Sequence, residues 1–305
     1  MTWRVVSLSQ RAYLSVNHRQ LRIALKNTEG EEEDIHHVPM EDILAVVLDT
    51  PQVTMSSAML GDMARMGAVV VTSDPTHMPN GMLLPFHQHS RQAAMAWQQH
   101  AWSAAFRKRC WQTIIRAKIT NQSHVLQRLG IKDHERLKRM VSHVLSGDKE
   151  NHEAQAARLY WRVLFPDGFR RHGTCSLNGL LNYAYAIMRA LVARALVAHG
   201  FLPAFGLHHR NKLNAFNLAD DMLEVLRPFC DILAYHHKVD TWHGHVPETL
   251  SREDRHAALS ITTQQYLLAG QLYSLAETIE RMVESLQKAS RLKTADALHM
   301  PAFAL

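Results

Sequence analysis

Between Phe86 and Leu129 the chain contains neither glycine nor proline. Glycine costs a helix interior about 1 kcal/mol and proline about 3, so a run of this length free of both is what long helices need. Its apolar residues recur at helical spacing, and further helical stretches follow at about 134–146, 149–165, 176–199, 214–228 and 257–290. The first 85 residues read differently. Arg4–Leu8 and Tyr13–Leu25 have the composition of short strands, the second folding back near Asn17–Gln20. Ile43–Leu48 (ILAVVL) and Ala68–Thr72 (AVVVT) are continuous apolar runs of buried-strand length. Met55–Met66 has helical spacing, with Thr54 or Ser56 as cap, Gly67 as stop and a methionine stripe read as core. The acidic run Glu31–Asp34 reads as a solvated loop, and Pro75, Pro79 and an Asn80-Gly81 turn close the module.

The expected fold is therefore α+β: a small N-terminal β-rich domain (1–85), a linker (86–95) and a larger all-helical domain (96–305). Segment 240–256 is expected to be a polar loop, and the tail 291–305 a flexible end or an inter-subunit contact. With 47% hydrophobic and 20% charged residues, the composition excludes a wholly disordered chain or a fibre. No stretch approaches 18 consecutive apolar residues, and the N-terminus lacks the apolar run of a signal peptide, so no membrane span or leader is expected. Cys110, Cys175 and Cys230 form no CxxC pair, which points to a reducing cytoplasm, no disulfide framework and no structural zinc.

Charge is unevenly placed. Residues 1–90 carry 6 basic and 10 acidic side chains, residues 91–149 carry 12 and 3, and residues 150–305 carry 16 and 15. One middle segment thus holds the whole positive excess. That is either a solvated helix surface or the footprint of a polyanion, bound through phosphate contacts and counterion release. Arg107, Lys108, Arg109, Arg116 and Lys118 are the candidate nucleic-acid contacts.

The 21 histidines include the pairs His36-His37, His236-His237 and His243/His245, none in the spacing of a zinc site. No Walker loop, GxGxxG or GxSxG elbow is present, so nucleotide-hydrolysing and serine-hydrolase chemistries lack support. Two segments stand out. In Asn151–Phe165, Glu153 shares a helical face with Ala157, Tyr160 and Leu164. A carboxylate in an apolar stripe costs several kcal/mol unless paired or metal-bound; alternatively Glu153 sits in the first turn, facing water, where acids suit the helix dipole. In Gly206–Pro228 a glycine-led loop presents His208 and His209, and a helix starting near Asn214 or Asn217 carries Asp221 and Glu224 three apart. One histidine beside two carboxylates suits Mg²⁺ or Mn²⁺; the alternative is an exposed acidic helix start with Asp220 and Asp221 as dipole partners.

These segments carry a resemblance. QTIIRAKITNQ (Gln112–Gln122), SGDKENHEAQAARLYW (Ser146–Trp161), SLNGLLNYAYAIMRALVARAL (Ser176–Leu196) and GLHHRNKLNAFNLADDMLEVLRP (Gly206–Pro228) resemble, in order, the signature stretches of the CRISPR-associated adaptation integrases, in their type II versions. WRVV, VPMEDILAVVLD and DPTHMPNG are similar to that family's β-rich domain. The resemblance implies a metal-dependent DNA integrase and endonuclease that inserts short foreign duplexes at the CRISPR repeat, by attack of a DNA 3′-hydroxyl on a phosphodiester. It implies Glu153, His209 and Glu224 as metal ligands and catalytic residues, with Asp221 as accessory acid; which of Asp221 and Glu224 binds the ion directly stays open. The implied cofactor is Mg²⁺ or Mn²⁺. The implied partners are double-stranded DNA (prespacer and repeat), a second copy of the chain, a small companion ("Cas-two") flanked by two such homodimers, and the type II RNA-guided effector nuclease. The N-terminal domain would serve dimerisation and companion contact. A non-enzymatic DNA scaffold and an RNA-cleaving metal nuclease are the rival readings.

Overall fold

The computed structural model describes residues 3–86, 89–165, 168–171, 173–238 and 250–304. The chain divides into two compact units, Met1–Ser90 and Arg91–Leu305.

The first unit is built on two four-stranded sheets. In one, β1 (Arg4–Leu8), β5 (Ile43–Leu48) and β7 (Val69–Ser73) run parallel, and β8 (Pro79–Leu83) closes the edge antiparallel to β7. β5 is buried at every position, as its unbroken apolar sequence requires of a strand covered on both faces. In the other, β2 (Ala12–Asn17), β3 (Gln20–Lys26) and β4 (Glu32–Pro39) form an antiparallel meander, with β6 (Val53–Met55) parallel to β2. Helix α1 (Ser57–Met66) starts where the Ser56 hydroxyl accepts from the Met59 N–H and ends at Gly67, whose φ of 73° is left-handed. Met59 and Met63 are fully buried with Leu14, Leu21 and Val46, so the methionine stripe is core.

Two expectations fail here. Glu32–Asp34 do not form a loop; they begin β4, whose first six residues are exposed. The main-chain ladder to β3 holds this strand, and its charges keep an open sheet edge from pairing with other chains. Pro79, Asn80 and Gly81 are not the closing turn but lie within β8. The turn is at 74–78, where the Asp74 carboxylate accepts from the Thr76 and Met78 N–H groups. Gly81 answers a cross-strand demand instead: a Cβ there would stand 2.6 Å from the Thr72 hydroxyl.

The second unit comprises α2 (Gln92–His100), α3 (Ala104–Arg128), α4 (His134–His143), α5 (His152–Leu164), α6 (Ser176–Ala198), α7 (Asn217–Leu223), α8 (Arg227–Lys238), α9 (Arg252–Leu259) and α10 (Leu275–Leu292). It is not all-helical. The expected helix 257–290 is interrupted by a hairpin of β9 (Gln265–Leu268) and β10 (Gln271–Ser274). Ala269 and Gly270 both take positive φ there, a tight turn matched to strand twist. The expected helix 214–228 is two helices, broken at 224–226 because Pro228 has no N–H to continue a ladder and is tolerated only in a first turn. Part of the expected polar loop 240–256 is α9, started by a Ser251–Asp254 capping box; 239–249, with His243 and His245, lie outside the described residues.

Helix α6 is, by length and composition, apolar enough to cross a membrane, but 83% of its apolar window is buried inside this unit, which makes it a core helix. The end of the tail is not loose but packs on this unit. Phe303 is 4% exposed and stacks on Phe229 at 4.0 Å, and the Ala302 backbone pairs with Leu267.

Candidate active site

Three helices bring the singled-out residues together. Helix α5 opens at Asn151, and the Asp148 carboxylate accepts from the His152 and Glu153 N–H groups, both at 2.9 Å. Glu153 therefore sits in the first turn, yet its half-buried side chain turns inward to the cleft. On α3, Arg107, Trp111 and Lys118 follow at i, i+4 and i+11 and share one stripe. Lys118 lies at its buried end, 8% exposed. Its ammonium donates to Glu153 Oε1 at 2.7 Å and to Glu224 Oε2 at 2.6 Å. Glu224 is the first residue past α7, and Arg227 donates to its Oε1 at 2.9 Å. Two carboxylates 71 positions apart thus converge on one buried cation.

Burial alone would push the Glu224 carboxyl up; Arg227 and Lys118, with His209 nearby, outweigh it and hold it at about 2. Burial alone would pull the Lys118 ammonium down, and Glu224 and Glu153 outweigh that as well, holding it above its ordinary value. Glu224 is charged throughout the physiological range.

Asp221 has a different role from Glu224. Fully buried, it accepts from the N–H groups of Leu207 (2.5 Å), His208 (3.0 Å) and His209 (3.1 Å), and its Oδ1 meets His209 Nδ1 at 2.7 Å. Both its oxygens are spent on orienting the loop, and its hold on Nδ1 leaves Nε2 as the ring nitrogen for a ligand, the carboxylate–histidine arrangement usual behind metal-bound imidazoles. The hydrogen bond that the His209 ring donates to Asp221 raises the His209 pKa; burial opposes it, and the charges of Asp221, Glu224 and Asp220 add to the rise. Gly206 is obligatory: a Cβ there would lie 2.7 Å from Asp221 Oδ2 and collide with the His209 carbonyl. Asn217 ties the same loop down by donating to the carbonyls of Ala204, Asn211 and Asn214. His208 stacks on Trp111 (4.2 Å, 5°) and His209 meets that indole edge-on at 5.7 Å.

Glu153 and Glu224 are brought together as their candidate roles require. His209 is close enough to Glu224 for each to shift the other, but among the described residues no three His, Cys, Asp or Glu side chains stand as a ready-made metal cage. The donor set still fits a hard divalent cation: two carboxylates already share one positive charge, beside an imidazole with its Nδ1 held.

The basic segment divides by direction. Lys118 is corrected from a DNA contact to a buried member of the site, because its ammonium is engaged by two carboxylates. Lys108, Arg109 and Arg116 are exposed. Arg107 is half-buried and lines a cleft of about 430 Å³ with His209, Arg210 and Lys212. A second cleft, of about 580 Å³, opens over Lys118, Glu153 and Glu224 and is also lined by Trp161, Asn178 and Asn182. Asp231, on the same cleft, accepts from the hydroxyls of Tyr160 (3.1 Å) and Tyr185. Burial raises its carboxyl to about 6 against those two hydrogen bonds. Trp111, Arg227, Tyr185 and Asp231 carried no sequence signal of their own, since each looks like ordinary helix content until the fold turns it inward; Tyr160 was placed on the face of Glu153 but only as part of its apolar stripe. Of the histidine pairs, His36 and His37 are exposed on β4, and His237 pairs with Asp254 at 2.9 Å.

Comparison with known proteins identifies the family and the fold. The sequence profile of the family described as "CRISPR associated protein Cas1" matches residues 5–237. The chain is 37% identical over 302 residues to the CRISPR-associated endonuclease Cas1 of Neisseria meningitidis serogroup C (strain 8013), covering 99% of this chain and 96% of that protein. Its fold resembles a casposase bound to integration product, with TM-score 0.74 and 16% identity over 96% of this chain and 92% of that one. It also resembles a chain of a Cas6-RT-Cas1–Cas2 complex, with TM-score 0.72 and 18% identity over 97% of this chain and 36% of that one.

Proposed function

The chain belongs to the CRISPR-associated Cas1 family, and we propose that it is a Mg²⁺- or Mn²⁺-dependent DNA endonuclease and integrase of CRISPR adaptation, joining short foreign duplexes to the repeat. The single observation that carries this reading is the meeting of Glu153 and Glu224 on one buried cation beside an oriented histidine. Glu153, Glu224 and His209 are the residues that would hold the ion, and Asp221 is the group that fixes His209 rather than a direct ligand. When bound, the ion supplies polarisation of a phosphoryl oxygen and stabilises the charge that builds as a 3′-hydroxyl attacks.

The rest is the work of the chain. Arg227 keeps Glu224 ionised in a buried place. Asp221 and Gly206 hold the His209 ring in one orientation. Arg107, Arg210 and Lys212 give the neighbouring cleft a positive lining suited to DNA phosphates. Exposed Lys108, Arg109 and Arg116 extend that charge over the outer surface of α3. The proposed partners are double-stranded DNA, a second copy of this chain, a Cas2 companion flanked by two such dimers, and a type II RNA-guided effector that supplies fragments. The casposase–product likeness supports DNA as a partner and the complex with Cas2 supports the companion; the second copy, the two flanking dimers and the effector rest on the family resemblance alone.

The test is strand joining: purified protein with its companion, Mn²⁺, a short duplex and a supercoiled plasmid bearing the repeat. Glu153→Ala is expected to abolish joining while leaving fold and DNA binding intact. Full joining by that variant, or by the wild type in EDTA, refutes the reading. Cleavage of RNA ends alone would favour the ribonuclease alternative.

A further inference from the structure

Two ionised carboxylates that converge from separate helices repel one another unless a cation lies between them. Here that cation belongs to the chain. Lys118 contacts Glu153 Oε1 and Glu224 Oε2 at once, and it is held there from both sides. One turn further along α3, Asn121 donates to the carbonyls of Val225 (3.1 Å) and Pro301 (2.9 Å), which clamps the segment bearing Glu224 against the helix bearing Lys118. Arg227 meanwhile occupies the other oxygen of Glu224. The ammonium therefore stands where the two carboxylates would share a bound ion, and His209 is not part of the lysine's shell.

We propose that Lys118 is a positioning residue that acts as an internal stand-in for the divalent cation: it holds Glu153 and Glu224 paired, and it leaves both when the ion enters. This rests on the metal reading above and adds a competition to it. A divalent ion outcompetes the ammonium because it offers two charges to the two carboxylates, where lysine offers one. A purely structural ion pair makes the opposite forecast, since removing its lysine would loosen the glutamates and weaken metal binding.

Calorimetric titration with Mn²⁺ alone separates these. Lys118→Met keeps the length of the side chain and removes its charge. It is expected to bind Mn²⁺ about tenfold more tightly than wild type, a conservative figure beside the coupling energies measured for close charge pairs. Lys118→Arg keeps the charge and is expected to bind no more tightly than wild type. Because Lys118→Met takes the lysine from half-buried Glu153 and leaves buried Glu224 with Arg227 alone, it can fail to fold, and a second measurement uses the unaltered chain. Acylation of Lys118, read by mass spectrometry, is expected to be slow in EDTA and at least several-fold faster with saturating Mn²⁺. Equal or weaker Mn²⁺ binding by a folded Lys118→Met protein overturns the proposal. So does Mn²⁺ binding to wild type that leaves Lys118 acylation unchanged. If neither protein binds Mn²⁺, the metal reading falls first and this inference with it.

Discussion

Glu224→Gln offers the most demanding test of the site's electrostatics. In the fold the Glu224 carboxyl moves from the ordinary 4.5 to about 2, a displacement equivalent to roughly 3 kcal/mol. A carboxyl held below its unfolded value stabilises the fold above that unfolded value, and the contribution is lost as pH falls toward the folded one. Glutamine keeps the shape and abolishes the titration. The deficit of the variant relative to wild type should therefore be roughly 3 kcal/mol at neutral pH and about half that near pH 3. The assay is urea unfolding from pH 3 to pH 7 in EDTA, followed by tryptophan fluorescence. Four of the six tryptophans (Trp97, Trp102, Trp111 and Trp161) are described residues of the second unit, so the signal reports chiefly on the unit that holds the site. A deficit that stays constant across this range would show that Arg227 and Lys118 do not hold the Glu224 charge, and the reasoning would fail.

Three further outcomes follow from the same geometry. Asp231→Asn should behave with the opposite sign: its carboxyl is raised to about 6, so the wild type carries a penalty that is full above pH 6 and fades toward pH 4, and the variant should match or exceed wild-type stability at pH 8 but lose most of that advantage by pH 4 in the same unfolding assay. Asp221→Asn replaces a carboxylate that accepts from three backbone N–H groups and one imidazole; strand joining should drop about 10–100-fold, the usual effect of losing a group behind a metal ligand, with duplex binding in a gel-shift assay unchanged. Phe303→Ala removes a buried ring stacked on Phe229 and should cost about 3–5 kcal/mol, seen as a lower melting temperature of the second unit; a shift within error would mean that the tail does not pack as described.

Periodicity carried much of the architecture. The alternation and apolar runs before Pro85 become two sheets, and the breaker-free stretch after it becomes α2 and α3. It failed where main-chain pairing, not side-chain burial, decides the outcome. Glu32–Asp34 are exposed and charged, yet the β3 ladder makes them strand. Gln265–Ser274 look helical by spacing, yet a tight turn at Ala269-Gly270 folds them into a hairpin. In both cases main-chain pairing between neighbouring strands overrides what the side-chain spacing suggests.

The chemistry divides along the same line. Residue types and spacings alone pointed to Glu153, the pair His208 and His209, Asp221 and Glu224, and suggested a divalent cation and a polyanion, because carboxylates on apolar helical faces and an uneven charge distribution are visible in one dimension; the choice of His209 over His208 came from the family resemblance. Direction is not. Lys118 and Arg116 are two residues apart in one basic run, but the 3.6-residue turn buries the first between two glutamates and leaves the second exposed. Asp221 and Glu224 are equally acidic neighbours, but only the folded loop spends one on backbone N–H groups and leaves the other facing the cleft. Which charge meets which is a matter of three-dimensional distance, and distance is supplied by packing.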